Sequence, residues 1–301
     1  MMMQKFLLSL FISLSFYSHA NVSPWVDFEL QNGHIKFPVT VEGKKGFAIL
    51  DSGAQSNGIN KHFINKHNLS LSTGERVWVK GVYSEEQRPT YNEVAVTLFG
   101  KESKMSYLLE SSLGHHSNAL LFGANFFRDF ITQIDYPNNK IRLINKKVAK
   151  LHEFENVETQ RHKGTGLPIV RLEVSGRAIW MLLDTGNAGG IIVKRSLAKS
   201  LGWLELESES HQSFGANSAG QMHSALADSV KFGPFELNNI QITYPAEGQK
   251  IHLLEQYQSG RSRIRGKRVQ GIVGTSLLQH FLLTLDYERG HLHVDLPQTA
   301  D

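Results

Sequence analysis

Apolar and polar residues alternate along two short segments that lie 133 positions apart in the chain, Phe37–Val41 and Val170–Val174. Such alternation is typical of β-strands that bury one face. Each segment is followed by a glycine-containing turn and then by an apolar run with no polar face, Phe47–Leu50 and Ile179–Leu183. The pattern therefore predicts the same hairpin twice, with its second strand in the interior of a sheet.

Each hairpin ends in an aspartate, a hydroxyl residue and a glycine, Asp51-Ser52-Gly53 and Asp184-Thr185-Gly186. One such triplet can arise by chance in a chain of this length. Two triplets in the same hairpin context indicate an internal repeat, and repeats of this kind reveal how a chain is organised.

A second pair of windows, 151 positions apart, extends the repeat without a gap. Leu121-Phe122-Gly123 matches Ile272-Val273-Gly274. The residues after each glycine predict a short helix, over 124–130 in the first copy and over 275–281 in the second.

A strand is predicted after each of these helices, ending at Leu143 in the first copy and at Val294 in the second. The sequence thus predicts two similar lobes, residues 21–148 and 163–301, joined by a charged linker at 149–162.

An aspartate after an apolar strand is either an ordinary turn residue at the surface or a carboxylate held at the edge of a core. A pseudo-twofold axis between the two lobes can bring Asp51 and Asp184 together. Two adjacent carboxyl groups share one proton, because both cannot ionise cheaply. Such a pair can hold a water molecule, with one member as base and the other as acid, and hydrolyse an amide without a covalent intermediate or a metal.

The neighbouring residues suit this chemistry. Gly53 and Gly186 allow backbone amides to approach the carboxylates closely. The hydroxyl groups of Ser52 and Thr185 can brace the two turns against each other.

Together these residues resemble the two active-site loops of the aspartic proteases, and the resemblance covers nearly the whole chain after residue 20. The compact lobes are similar to retropepsin-like proteases, whereas the single two-lobed chain is similar to pepsin. The resemblance implies an all-β, bilobal acid-protease fold: two antiparallel β lobes related by a pseudo-twofold axis, with short helices and a central cleft. It implies the following site residues: Asp51 and Asp184 as the catalytic dyad; Ser52, Gly53, Ala54, Thr185, Gly186 and Asn187 as active-site loop support; and Gly81, Tyr83, Phe214 and Gly215 as candidate substrate-binding flaps.

Two positions qualify the resemblance. Asn187 stands where the family usually has a small or hydroxylated residue, so its amide either hydrogen-bonds a carboxylate or opens the loop. Ala54 offers no side-chain hydrogen bond, so we expect a dyad that works at about pH 5–7 rather than in strong acid.

Composition removes other classes of protein. The 301 residues are 41% hydrophobic, carry a net charge of +4 and include no cysteine, which excludes disordered chains, disulfide scaffolds and thiolate zinc sites. The 14 histidines form no zinc-like spacing with carboxylates, so we expect no metal and no cofactor. The basic stretch Arg261–Arg268 is interpreted as a solvated loop, with an anionic envelope surface, an acidic peptide or nucleic acid as alternatives. It contains no aromatic residue, so no nucleic-acid partner is expected.

Residues 1–20 have the pattern of a secretory signal peptide: one early positive charge, an apolar run over 6–16, and Ser18-His19-Ala20 at the expected cleavage point. The apolar run is too short to span a bilayer, which takes about 20 residues. We therefore expect a periplasmic or secreted protein with no transmembrane segment after signal cleavage.

The function predicted from these patterns is an aspartic endopeptidase that cuts peptides or unfolded proteins. We expect it to be a monomer, because one chain supplies an intramolecular pseudo-dimer. A non-catalytic peptide-binding module on the same scaffold is the alternative, and an envelope-surface adaptor that uses the basic stretch is a third possibility.

Overall fold

The computed structural model describes residues 21–80, 85–205, 210–214, 219–249, 251 and 266–297. Strands account for most of the regular structure in these ranges, and the helices are short, so the predicted all-β fold is confirmed. The helices are α1 (Lys61–Lys66), α2 (Ala124–Asp129), α3 (Arg195–Ser200) and α4 (Thr275–Leu278).

The strands divide between the two halves of the chain. Those of the N-terminal half are β1 (Val26–Asp27), β2 (Glu29–Gln31), β3 (His34–Val41), β4 (Lys44–Leu50), β5 (Gly58–Asn60), β6 (Ser72–Lys80), β7 (Glu85–Asn92), β8 (Val94–Leu98), β9 (Lys101–Met105), β10 (Leu108–Ser111), β11 (Asn118–Phe122), β12 (Ile131–Asp135) and β13 (Lys140–Ile144). Those of the C-terminal half are β14 (Thr159–Arg161), β15 (Pro168–Val174), β16 (Arg177–Leu183), β17 (Ile191–Val193), β18 (Ser210–Phe214), β19 (Ala219–Phe232), β20 (Phe235–Pro245), β21 (Val269–Val273), β22 (Leu282–Asp286) and β23 (His291–Asp295).

Each half contains one sheet that curls back on itself. In the C-terminal half the order is β14-β15-β16-β21-β17-β20-β19-β18, and β19 also pairs with β15, which closes a barrel. In the N-terminal half the order is β6-β7-β10-β5-β11-β4-β3-β8-β9. There the chain bends at Glu93, whose φ is +55°. The strands on either side of this bend, β7 and β8, together correspond to the single strand β19 of the other half.

The predicted hairpins are β3–β4 and β15–β16, and both have the expected burial. Alternate residues of β3 are buried, as are those of β15 towards its end, while the last residues of β4 and β16 are buried continuously. β4 pairs in parallel with β11, and β16 pairs in parallel with β21. Each of these parallel pairs places the end of a hairpin beside an apolar-apolar-glycine segment.

A third sheet joins the two halves, in the order β1-β13-β12-β22-β23. At its centre β12 and β22 run antiparallel, and Gln133 lies opposite Thr284, its own counterpart in the repeat. The Gln133 amide donates a hydrogen bond of 2.9 Å to the Thr284 hydroxyl. This register places the pseudo-twofold axis between these two residues.

The segments after the two helices differ from the prediction. A single strand was expected in each copy, but each copy forms a hairpin, β12–β13 and β22–β23. The reversals use left-handed backbone at Asn139 (φ +53°) and at Gly290 (φ +73°), which suits these residue types. The helices also end earlier than expected, at Asp129 and at Leu278.

The segment between the halves is partly structured. Leu151–Glu153 forms a 3₁₀ turn, and Val157 bridges Leu292 on the outer strand of the joining sheet. β14 then pairs with β15 as the edge of the C-terminal sheet. Across the described ranges, no helix has the length and apolar character needed to cross a bilayer.

Candidate active site

The first candidate loop begins where β4 leaves the sheet. The Asp51 amide donates to the Phe122 carbonyl (2.9 Å), so the parallel pairing with β11 fixes the start of the loop. The chain then turns back, and the amides of Gly53 and Ala54 each donate a 2.9 Å hydrogen bond to the Asp51 carboxylate. The turn therefore supplies two donors to the charged form of this carboxyl group.

The second candidate loop repeats this geometry at the end of β16. The Asp184 amide donates to the Val273 carbonyl (3.0 Å), and the Gly186 amide donates to the Asp184 carboxylate (2.9 Å). The two loops are thus positioned by equivalent parallel strand pairs, β4–β11 and β16–β21, and each begins with an equivalent turn.

The two carboxyl groups meet between the loops, close enough to share a hydrogen bond when one of them is protonated. Each also lies directly against the glycine of the opposite loop. A Cβ atom built on Gly53 would be 2.6 Å from Cγ of Asp184, and one on Gly186 would collide with the Asp51 carboxyl group. Only glycine at these two positions leaves room for the pair.

The environment of the pair favours one retained proton. Burial, followed by the neighbouring charge of Asp51, raises the pKa of Asp184 well above its ordinary value. Burial also raises the pKa of Asp51, but hydrogen bonds from Asp184, Gly53 and Ala54 oppose that shift. Both residues remain partly open to solvent, so a water molecule can reach carboxyl groups that protein surrounds on most sides.

Four hydrogen bonds brace the loops beneath the carboxyl groups. The Ser52 hydroxyl donates to the Leu183 carbonyl (2.7 Å) and accepts from the Thr185 amide (3.0 Å). The Thr185 hydroxyl donates to the Leu50 carbonyl (3.2 Å) and accepts from the Ser52 amide (3.0 Å). Ser52 is 0% and Thr185 1% exposed, so this reciprocal arrangement lies out of water.

The Asn187 side chain neither hydrogen-bonds a carboxylate nor opens its loop, the two arrangements considered from the sequence. Its side-chain amide donates to the Gly190 carbonyl (3.3 Å) and accepts from the Gly189 amide (3.1 Å), which closes its own loop. Gly274 makes room for this turn, since an added Cβ would be 2.5 Å from the Asn187 carbonyl oxygen. Ala54 has the same place in the first loop, where its carbonyl accepts from the Ala124 amide (2.8 Å).

Two tyrosines that directly follow β12 and β22 of the joining sheet lie near the loops. Tyr287 is buried, and its hydroxyl donates to the Ser52 carbonyl (3.4 Å). Tyr136, its counterpart, is buried close to Thr275 and Asp184. Burial raises the pKa of both tyrosines, so their hydroxyl groups stay protonated.

His34 is a neighbour of the site that the sequence prediction missed. The β3–β4 register places it across from Asp51, and it lies close to the backbone of Gly186 in the opposite loop. The available signal was the repeat itself, which aligns Gly33 with Gly166 and so places His34 at a position equivalent to Leu167.

The candidate flap residues are largely outside the described ranges. Gly81, Tyr83 and Gly215 fall there, as do residues 1–20 and most of the basic stretch. The backbone of Phe214 ends β18 and pairs with Ala219. Among the residues that the structure describes, no group of three or more histidines and carboxylates is arranged to hold a metal ion.

Residues 170–277 match the family described as aspartyl protease, a segment that includes the second candidate loop and its apolar-apolar-glycine partner. Among solved structures, a retropepsin-like aspartic protease from Rickettsia conorii matches at 19% identity over 42% of this chain and 88% of that chain, with a TM-score of 0.30. No curated protein matches the sequence. The family match supports an aspartic protease relationship for the C-terminal half.

Proposed function

We propose that this protein is an aspartic endopeptidase that hydrolyses peptide bonds with a water molecule activated by Asp51 and Asp184. The observation that carries the proposal is the reciprocal placement of the two carboxyl groups, each against the glycine of the other loop. The aspartyl protease match over residues 170–277 supports the same class of enzyme.

The chemistry requires one proton on the pair and one water molecule between its members. The ionised carboxylate removes a proton from the water as its oxygen attacks the peptide carbonyl carbon, and the protonated carboxyl group donates to the carbonyl oxygen. The resulting tetrahedral diol collapses when one carboxyl group gives its proton to the amide nitrogen, the other carboxylate takes a proton from a diol hydroxyl, and the C–N bond breaks. The products are a carboxylic acid and an amine, and the pair again holds one proton.

The surroundings of the pair suit this cycle. Burial disfavours a second negative charge, so the pair keeps its proton over a pH range above that of an ordinary carboxyl group. The four hydrogen bonds of Ser52 and Thr185 hold the two loops at a fixed separation, which preorganises the carboxyl groups around the water molecule.

We propose an extended peptide or unfolded protein as the substrate, held as an added strand by main-chain hydrogen bonds. Gly81, Tyr83, Phe214 and Gly215 remain the proposed flap residues. Since one chain supplies both aspartates, we propose that the monomer is active, which size-exclusion chromatography of the cleaving species checks.

We also propose that residues 1–20 are removed on export and that the protein works in the periplasm or outside the cell. N-terminal sequencing of protein recovered from the periplasmic fraction tests this directly. A mature chain that begins at Asn21 is the expected result, and an intact Met1 would refute it.

Cleavage of an unfolded protein, measured across pH with and without pepstatin, tests the activity. We expect Asp51→Asn and Asp184→Asn each to lower kcat/KM at least about a hundredfold, because each removes one half of the acid–base pair. The matched control is Asp228→Asn, which changes an exposed carboxylate on β19 and should cleave normally.

The outcomes separate the candidate functions. Pepstatin-sensitive cleavage lost in both dyad variants supports the peptidase. Cleavage that survives in either variant refutes the assigned dyad. A folded wild-type protein that binds the unfolded substrate without cleaving it at any pH refutes the peptidase in favour of a peptide-binding module.

A further inference from the structure

A hairpin of the N-terminal half reaches the second candidate loop. The turn between β2 and β3 contains Gly33, whose φ is +76°. Its carbonyl accepts a hydrogen bond of 2.8 Å from the Thr275 hydroxyl, and a Cβ atom at this position would be 2.6 Å from Cα of Ala188. The turn is therefore fixed against the C-terminal half, and so is the residue that follows it.

That residue is His34, and the antiparallel register of β3 with β4, in which Lys36 lies opposite Ile49, places it across from Asp51. The ring is half-buried, and it lies close enough to Asp51 and to the Gly186 backbone for both to act on its protonation. Its Nδ1 atom is buried and has no hydrogen-bond partner among the described residues. A buried ring nitrogen without a hydrogen-bond partner costs folding free energy. Its presence near a carboxylate therefore indicates a functional role.

The repeat shows that His34 makes the two halves unequal. The turn glycines Gly33 and Gly166 share left-handed backbone, with φ of +76° and +72°. The residue after Gly166 is Leu167, which is buried and carries no charge at any pH. The two carboxyl groups therefore sit in similar loops, but the copy that carries Asp51 has an ionisable partner where the other copy has an apolar side chain.

Within the part of the chain that the structure describes, two charged groups act on His34. Asp51 faces it from the first loop, and Lys36 lies two residues along its own strand, with Glu29 of β2 acting on Lys36 in turn. Burial lowers the pKa of His34, and the charge of Asp51 opposes that shift. Reciprocally, the charge of His34 lowers the pKa of Asp51.

We propose that His34 is a positioning residue that stabilises the negative charge of Asp51, so that Asp51 is the base of the pair and Asp184 carries its proton. In acid His34 becomes positively charged beside Asp51 and keeps that carboxylate ionised when it would otherwise be protonated. This charge pairing extends the pH range in which the two carboxyl groups are active towards lower pH. Its catalytic consequence rests on the proposed function, whereas the electrostatic pairing does not.

The kinetic test compares His34→Leu, which copies the other half, with His34→Gln, which keeps a polar side chain without charge. We expect the acidic limb of the kcat/KM profile to move to higher pH in both variants. Lys45→Gln, which removes an exposed positive charge from the β3–β4 hairpin, is the matched control and should leave the limb in place. A structural role for His34 would lower kcat/KM equally at every pH, and an unmoved limb in both variants would overturn the proposal.

A second readout does not depend on catalysis. Proton NMR follows the titration of the His34 ring, assigned by its absence from the His34→Gln spectrum. We expect Asp51→Asn to lower the pKa of His34 more than Asp184→Asn does, because only an ionised neighbour favours the imidazolium. Equal shifts, or a larger one in Asp184→Asn, refute the assignment. An inactive wild-type enzyme that still shows the Asp51-specific shift would sink the peptidase and leave the pairing intact.

Discussion

Thr185 offers a direct measurement of the brace between the two candidate loops, because two substitutions separate its hydroxyl from its methyl group. Thr185→Val keeps the shape of the side chain and removes the oxygen that bonds the Ser52 amide and the Leu50 carbonyl. Thr185→Ser keeps that oxygen and removes one buried methyl group.

The structure predicts that the valine substitution costs more folding free energy than the serine substitution. In the valine variant the buried Ser52 amide loses its acceptor and the Leu50 carbonyl loses a donor, at about 1–3 kcal/mol for each unsatisfied group. The loss is therefore about 2–6 kcal/mol, a large share of the about 5–15 kcal/mol that stabilises an ordinary domain. The serine variant loses about 1 kcal/mol for one buried methyl group.

Urea denaturation followed by tryptophan fluorescence measures both losses as changes in midpoint. The same pair of substitutions at Thr73, an exposed residue of β6, provides the control and should shift the midpoint little in either case. A valine variant at Thr185 that is as stable as the serine variant, or more so, would refute the view that these hydrogen bonds hold the loops together.

Two further predictions follow from the carboxyl pair itself. The raised pKa of Asp184 means that its contribution to stability is complete below the unfolded value and is lost as the pH rises through the folded value. Asp184→Asn should therefore melt at a higher temperature than the wild type at pH 7, with the difference shrinking towards pH 4; a constant difference, or a less stable variant at pH 7, contradicts this. Gly186→Ala should cost several-fold in kcat/KM and lower the melting temperature, because the new methyl group collides with the opposite carboxyl group. Gly189→Ala is its control, since an added Cβ there makes only an ordinary contact at 3.4 Å, and equal effects of the two substitutions would show that the reasoning fails.

Much of the fold could be read from local pattern. Burial alternates in β3 and β15 as the sequence indicated, because residues on one face of a strand recur at every second position. The offset between the copies also aligned Ser52 with Thr185. Turn geometry was harder to read, so the segments ending near Leu143 and Val294 were predicted as single strands and are hairpins.

Contacts between the halves depend on how the lobes are oriented, and local patterns do not encode that orientation. Residue order did not show that the Asn187 amide turns back to Gly190, because an amide in a glycine-rich loop can bond either a carboxylate or its own loop. Residue order also did not distinguish His34 from the other histidines among the 14. Nothing near residue 34 in the chain shows that Asp51 and Gly186 lie close to it.

The sequence alone determined that this chain carries one strand-turn-aspartate design twice, since a repeat is a property of residue order. The tertiary structure decided that the two aspartates share one site, that each glycine makes room for the opposite carboxyl group, and that a histidine stands beside only one of them. Those properties arise where residues more than a hundred positions apart pack together, and packing across a pseudo-twofold axis is fixed by the whole joining sheet.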